Sequence, residues 1–204
     1  MANSWPISLL DVASDAAVAA HIQDEIGQEQ LVDWERHWRP AVIARLHEAR
    51  SSDAINLPQN AHWNWNRKVQ MVEGLLGFRG FSVIAQGMTQ GLCSIDLTVE
   101  GRLPGQGGKP IVYIDYLETA PWNRIELGYN PPTYRGVGSA LIVAACELSR
   151  EEGFKGRIGL HSLPQADKFY RSIGMTEVGS DPKKQNLIYF EMTQAQTEMF
   201  LSGE

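Results

Sequence analysis

The run Pro132-Thr133-Tyr134-Arg135-Gly136-Val137-Gly138-Ser139-Ala140-Leu141 constrains this chain more than any other. Two glycines one residue apart open directly into an apolar helix, with Leu141, Ile142, Ala145 and Leu148 at helical spacing. A strand-like run, Ile111 to Ala120, precedes it. The first N–H groups of a helix lack intrahelical acceptors, and the helix dipole favours negative charge beside them. Glycine lets an anion come close to the backbone. The turn therefore reads as a main-chain cradle for phosphate, although a G-x-G before a helix is also a common tight turn. Two nucleotide patterns fail on it. A P-loop needs Lys after its last glycine, and Ser139 stands there; the dinucleotide fingerprint needs a third glycine where Leu141 stands.

A second stretch lies downstream: Ala166-Asp167-Lys168-Phe169-Tyr170-Arg171-Ser172-Ile173-Gly174-Met175. Together the two stretches resemble the GNAT acyltransferases, which bind acyl-coenzyme A. That superfamily places R/Q-x-x-G-x-G/A at a helix start and follows it with A-x-x-x-Y-x-x-x-G-F/M, which Ala166, Tyr170, Gly174 and Met175 fit. Thr133 departs from the family's Arg or Gln, and Arg135 is near enough to supply that charge. Many relatives also carry Asn where Leu163 stands.

The 204 residues suit one domain; 43% are hydrophobic and 21% charged, which supports a packed core. A net charge of −6 and the lack of a basic stripe argue against nucleic acid as a partner. Cys93 and Cys146 lie in separate apolar runs and read as reduced core residues, with no metal-binding spacing among cysteines or histidines. No apolar run is long enough to span a bilayer, so a soluble, cytoplasmic protein without membrane partners is expected.

Ile7 to Val12 reads as a first strand, and Ser14 as the N-cap of a helix reaching Gly27. Glu29 to Arg50 reads as a second helix, its face marked by Leu31, Trp34, Trp38, Val42 and Leu46, which Pro40 must kink or split. His21, His37 and His47 fall in these two helices. Ser51 to Asn60 is a loop, and Met71 to Leu76 a helical turn or two. Trp63 and Trp65 either seal a core edge or line a pocket. Phe81 to Gln86 and Leu92 to Val99 form a hairpin around Gly87 to Gly91. Glu100 to Lys109 is a glycine-rich connection, Ile111 to Ala120 a strand, and Arg124 to Pro131 an insertion before the cradle. A helix runs from Ser139 to Glu152, then a strand from Arg157 to Ser162, the Tyr170 helix, a last strand from Leu187 to Thr193, and a loosely helical tail.

This order predicts an α/β fold. The resemblance makes it a GNAT-like mixed sheet with a splayed central strand pair and helices on both faces. One domain over 1–204 is expected: 1–80 on the acceptor side, 81–193 the acetyl-CoA-binding core, 194–204 the tail. The implied activity is transfer of an acetyl group from acetyl-CoA to a primary amine, with no metal. The acceptor is a small molecule or a peptide, and a homodimer is an open option. Gly136, Val137, Gly138, Ser139, Ala140 and Arg135 would hold the pyrophosphate; Leu117 and Thr119 would lie along the pantetheine arm. Tyr170 matches the family's general acid, and its ring could equally be helix-face packing. The base is open among Asp115, Glu118 and His161, or a chain of waters. Asp115 and Glu118 have opposite parity on their strand. A different function class, a non-catalytic acyl-CoA-binding or interaction module, stays available on the same fold.

Overall fold

The computed structural model describes residues 2–50 and 58–203. Among the described residues the fold is mixed α/β, built on a large, mostly antiparallel sheet of nine strands. The chain divides into two compact units. Met1–Leu75, Gly80–Cys93 and Leu117–Leu141 form the first; Leu76–Arg79, Ser94–Tyr116 and Ile142–Glu204 form the second.

The first unit opens with a hairpin, not a strand and a helix. β1 (Ser4–Asp11) pairs antiparallel with β2 (Ala16–Gln23), Asp11 facing Ala16. Asp11 Oδ1 accepts from the N–H groups of Ala13 (2.9 Å) and Ser14 (3.3 Å), and Asp15 takes a left-handed φ of 52°. The residues expected to cap a helix thus close a turn of the kind Asp side chains favour. β2 also pairs with β3, Ala20 opposite Ala85 and Gln23 opposite Ser82. Ladders on both edges override the helix propensity of an alanine-rich run. His21 consequently sits in a strand.

Helix α1 (Gln28–Asp33) continues through a widened π turn (Trp34–Trp38) into α2 (Arg39–Arg50). The N–H of Arg39 bonds the carbonyl of Trp34, five residues back. The widening falls directly before Pro40, whose ring cannot coexist with a regular α turn. The expected kink is therefore a change of helix pitch. Trp34 and Trp38 are buried; Trp38 Nε1 donates to the Thr89 carbonyl (3.1 Å), while Asp33 Oδ2 accepts from Thr89 N–H (2.9 Å) and hydroxyl (2.7 Å). Most of the loop expected over Ser51 to Asn60 lies outside the described residues. Beyond it α3 (Trp65–Val72) starts earlier than expected, because Asn64 caps it by accepting from Arg67 N–H at 3.0 Å.

β3 (Phe78–Ala85) and β4 (Met88–Asp96) meet at a two-residue turn, Gln86 and Gly87, with φ of 50° and 72°. Both central residues at positive φ define a type I′ hairpin, tighter than the five-residue loop the sequence suggested. β5 spans Val112–Thr119. The expected insertion holds two short 3₁₀ turns, Pro121–Asn123 and Ile125–Leu127.

In the second unit β7 (Ile158–Ser162) runs parallel to β5 over Val112–Ile114, and the half of β5 from Asp115 onward lies outside that ladder. β9 (Leu187–Met192) pairs antiparallel with β7 on one side and with β8 (Thr176–Asp181) on the other. β8 was not anticipated: Val178 is its only large apolar residue, and a bulge between Glu177 and Gly179 breaks its alternation. α5 (Asp167–Ser172) and α6 (Gln194–Ser202) complete this unit. The tail is a capped helix, with Thr193 and Gln196 forming a capping box. Neither cysteine is in a disulfide; both are buried, and burial pushes the Cys146 thiol up to about 12.

Candidate active site

The glycine turn is tied down from behind. Tyr134 and Arg135 form a two-residue strand, β6, against the end of β1, with Leu10 opposite Arg135 and Asp11 opposite Tyr134. The N–H of Val12 reaches the Thr133 carbonyl at 3.0 Å. A side-chain cluster holds the approach as well. Gln90 Oε1 accepts from Trp122 Nε1 (2.8 Å) and Asn123 Nδ2 (3.0 Å), and Asn123 Oδ1 accepts from the Tyr134 N–H (2.9 Å). Gly136 follows at φ 97°, a left-handed conformation that favours glycine.

Helix α4 (Val137–Glu151) starts at once, two residues before the sequence suggested. Its first main-chain bond runs from the Ala140 N–H to the Gly136 carbonyl, 2.9 Å. By helix geometry the N–H groups of Val137, Gly138 and Ser139 precede that bond and have no intrahelical acceptor. Val137 points inward, while Gly136 and Arg135 are exposed and Gly138, Ser139 and Ala140 half-buried. A Cβ on Gly91 of β4 would lie 2.7 Å from Val137 Cγ1 and 3.0 Å from Leu141 Cδ1, so only glycine lets the helix start seat this close to the strand. The helix start suits an anion, with N–H groups that lack intrahelical acceptors, the helix dipole and an exposed Arg135 beside it.

The same unit holds a buried polar cluster around Glu118 of β5. Its Oε1 accepts from Asn60 Nδ2 (2.7 Å) and Arg124 Nη1 (3.1 Å), and its Oε2 from Trp65 Nε1 (2.6 Å). Arg124 also donates to Asn60 Oδ1 (2.8 Å) and Glu126 Oε1 (2.8 Å). Glu118 and Arg124 side chains are each 7% exposed. Burial pushes the Glu118 carboxyl above the usual range, against the pull of Arg124, Trp65 and Lys68. Trp65 is wholly buried, with Trp63 edge-on to it at 6.5 Å. Of the two roles left open, Trp65 takes core packing and adds a hydrogen bond to Glu118, while Trp63 lines a cavity that Glu118 also lines. Leu117 and Thr119 flank Glu118 on β5, half-buried.

The second unit carries the other expected residues. Tyr170, on α5, is buried with its ring 5.8 Å from that of Phe190. His161, on β7, has its ring 5.0 Å from Tyr189. Tyr189 and Phe190 are consecutive on β9 and face opposite ways, so His161 and Tyr170 lie on opposite faces of these strands. They do not converge on one centre. His161 Nε2 contacts Asp181 Oδ2 (3.0 Å) and its Nδ1 the Tyr113 hydroxyl (2.7 Å). Hydrogen bonds from Arg102 and the Lys183 N–H hold the Asp181 carboxyl down at about 2. An ionised Asp181 only accepts, so Nε2 carries the proton, and Nδ1 accepts from Tyr113. Burial holds His161 below its usual range, so it is neutral at pH 7 with both nitrogens engaged. Asp115 is half-buried on β5.

Sequence reading missed Asn60, Gln90, Asn123 and Arg124. Asn60 and Trp65 meet Glu118 from 58 and 53 residues away, a distance no motif spans. The one available signal was the clash between a carboxylate expected on a buried strand and the cost of burying it unpaired, which demands a nearby cation.

No protein-family model matches the sequence, and no curated protein matches it at the significance we require. Solved structures do match, and what this chain shares with them is the GNAT fold. It is similar to the PaiA N-acetyltransferase from Thermoplasma acidophilum in complex with coenzyme A, with a TM-score of 0.54, 13% identity, and coverage of 85% of this chain and 98% of that one. A protein from Desulfovibrio desulfuricans assigned to the GNAT family gives 0.52 and 13%, covering 86% and 99%. AAC(6')-Iy in complex with the bisubstrate analogue CoA-S-monomethyl-acetylneamine gives 0.51 and 15%, covering 79% and 94%. Among the described residues no helix is long and apolar enough to cross a membrane.

Proposed function

We propose that the chain is an acetyl-CoA-dependent N-acetyltransferase acting on a primary amine. The observation that carries this reading is the start of α4 directly after Gly136, three donor N–H groups on a fold shared with acetyltransferases, one of which is a complex with coenzyme A. Gly136, Val137, Gly138, Ser139 and Ala140 bind the pyrophosphate, with Arg135 adding charge. The backbone of Leu117 and Thr119 lies along the pantetheine arm. The amine nitrogen bonds the acetyl carbon and the carbon–sulfur bond breaks. An ammonium gives up two protons on the way to the amide; one ends on the sulfur and one passes to solvent. Tyr170 is the donor to the thiolate, a role its phenol suits. On the acceptor side Glu118 is the better-placed carboxylate, because it lines a cavity and burial raises its proton affinity. His161 is the poorer candidate because both its nitrogens are engaged, and Asp115 is a second carboxylate on the same strand as Glu118.

Calorimetric titration with coenzyme A tests the donor half. Wild type binds, and Gly138→Glu, which puts a carboxylate at the helix start, does not. Equal heats from the two proteins, or none from wild type, overturn the cradle. Binding without turnover of acetyl-CoA on any amine leaves the non-catalytic acyl-CoA-binding module.

A further inference from the structure

Within the first unit, α2, the turn around Asn60 and Glu118 enclose a cavity of about 270 Å³. It lies just below the usual range of ligand sites, roughly 300–1,000 Å³, which limits it to a small ligand. Trp34, Trp63, Val42 and Ile43 give it apolar walls; Asn60 and Glu118 give it a polar end. We propose that this cavity takes a small primary monoamine with an apolar, aromatic-sized body, its nitrogen at Glu118 and its body against the two indoles. The proposal rests on the acetyltransferase reading and names the acceptor class for it.

Three observations select that chemistry. A carboxylate can accept about four hydrogen bonds, and Glu118 receives three, two on Oε1 and one on Oε2. One position on Oε2 is left for an N–H donor. Burial outweighs Arg124, Lys68 and Trp65 in setting the Glu118 carboxyl, so its charge is under-compensated and a further cationic donor stabilises it. The Trp63 indole already holds an ammonium: Lys68 Nζ stands 4.6 Å from its ring centroid.

The cavity lining sets the limit on charge. Arg39 lines the cavity with its side chain half exposed and is paired with Glu35, and Arg124 is shared between Glu118 and Glu126. Among the residues lining the cavity Glu118 is the one carboxylate, so it offers an anionic partner to one ligand nitrogen and none to a second. The cavity therefore favours an arylalkyl monoamine over a polyamine or a lysine-rich peptide.

The test is calorimetric titration of 2-phenylethylamine and spermidine into the full chain with coenzyme A present, followed by mass detection of N-acetyl-2-phenylethylamine from acetyl-CoA. The expected result is at least tenfold tighter binding of 2-phenylethylamine, and its acetylation. Ile43→Trp fills the cavity from a partly exposed wall position and leaves the Glu118 cluster intact; it should weaken 2-phenylethylamine at least tenfold and still bind coenzyme A. Glu118→Gln should do the same to the amine, and Ile43→Trp decides the matter if that variant does not fold. Tighter spermidine binding, Ile43→Trp affinity within twofold of wild type, or coenzyme A binding with no amine bound or acetylated overturns the proposal. Loss of coenzyme A binding by wild type instead overturns the donor half.

Discussion

Arg124→Met is the most direct probe of the acceptor side. The guanidinium makes three contacts, at 3.1 Å to Glu118, 2.8 Å to Asn60 and 2.8 Å to Glu126. Glu126 is about one-third exposed, so its share is small. The Glu118 contact decides the size of the effect, since both side chains are 7% exposed. Removing one partner of a buried pair leaves an uncompensated charge and costs on the order of 3–5 kcal/mol. For a chain of this length that lowers Tm by on the order of 10 °C. The loss must depend on pH. The Glu118 carboxyl is raised in the folded state, so the folded chain binds more protons than the unfolded chain between the ordinary carboxylate pKa, about 4.3, and the raised one. Stability from that proton is present below the unfolded value and lost as pH rises through the folded value. Without Arg124 the folded value climbs further, so the variant's deficit is larger at pH 8 than at pH 5. Scanning calorimetry of wild type and Arg124→Met at both pH values measures this, with Glu118→Gln/Arg124→Met as the partner that removes the buried charge. A deficit under about 1 kcal/mol at pH 8, far short of the buried-pair range, or one equal at pH 5 and pH 8, refutes the reasoning.

Two further outcomes test the donor side. Gly91→Ala places a methyl 2.7 Å from Val137 Cγ1, both atoms close to main chain; the overpacking should cost about 1–3 kcal/mol and weaken coenzyme A by displacing the start of α4, and an unchanged Tm and Kd would show that the seat is slack. Tyr170→Phe should lower kcat by about 10²–10⁴-fold with little change in KM if the phenol protonates the thiolate, and a kcat within a few-fold of wild type would reduce Tyr170 to its packing against Phe190.

The strand–glycine turn–helix passage and the Tyr170 helix were legible because their information is local. Glycine at positive φ, an apolar helical face and a C′ glycine at Gly153 each act within a few residues. The same locality misled at Ala16–Gln23. Its alanines fit a helix in isolation, and only pairing with β1 and β3 makes it a strand. β8 was invisible for a related reason: with one large apolar residue and a bulge, it owes its existence to the partner strand β9.

The site divides along the same line. By itself, the sequence determined that a glycine turn at Gly136 runs directly into a helix, since helix-end donors and a side-chain-free turn are properties of a short segment. It also named Glu118 as one of the candidate bases without saying what would surround it. The tertiary structure decided its partners. Asn60, Trp65 and Arg124 come from three other segments to satisfy one buried carboxylate, and His161 is turned away from Tyr170 by the alternation of β9. Burial is a property of the assembled chain, and burial forces a carboxylate to gather partners wherever the fold brings them.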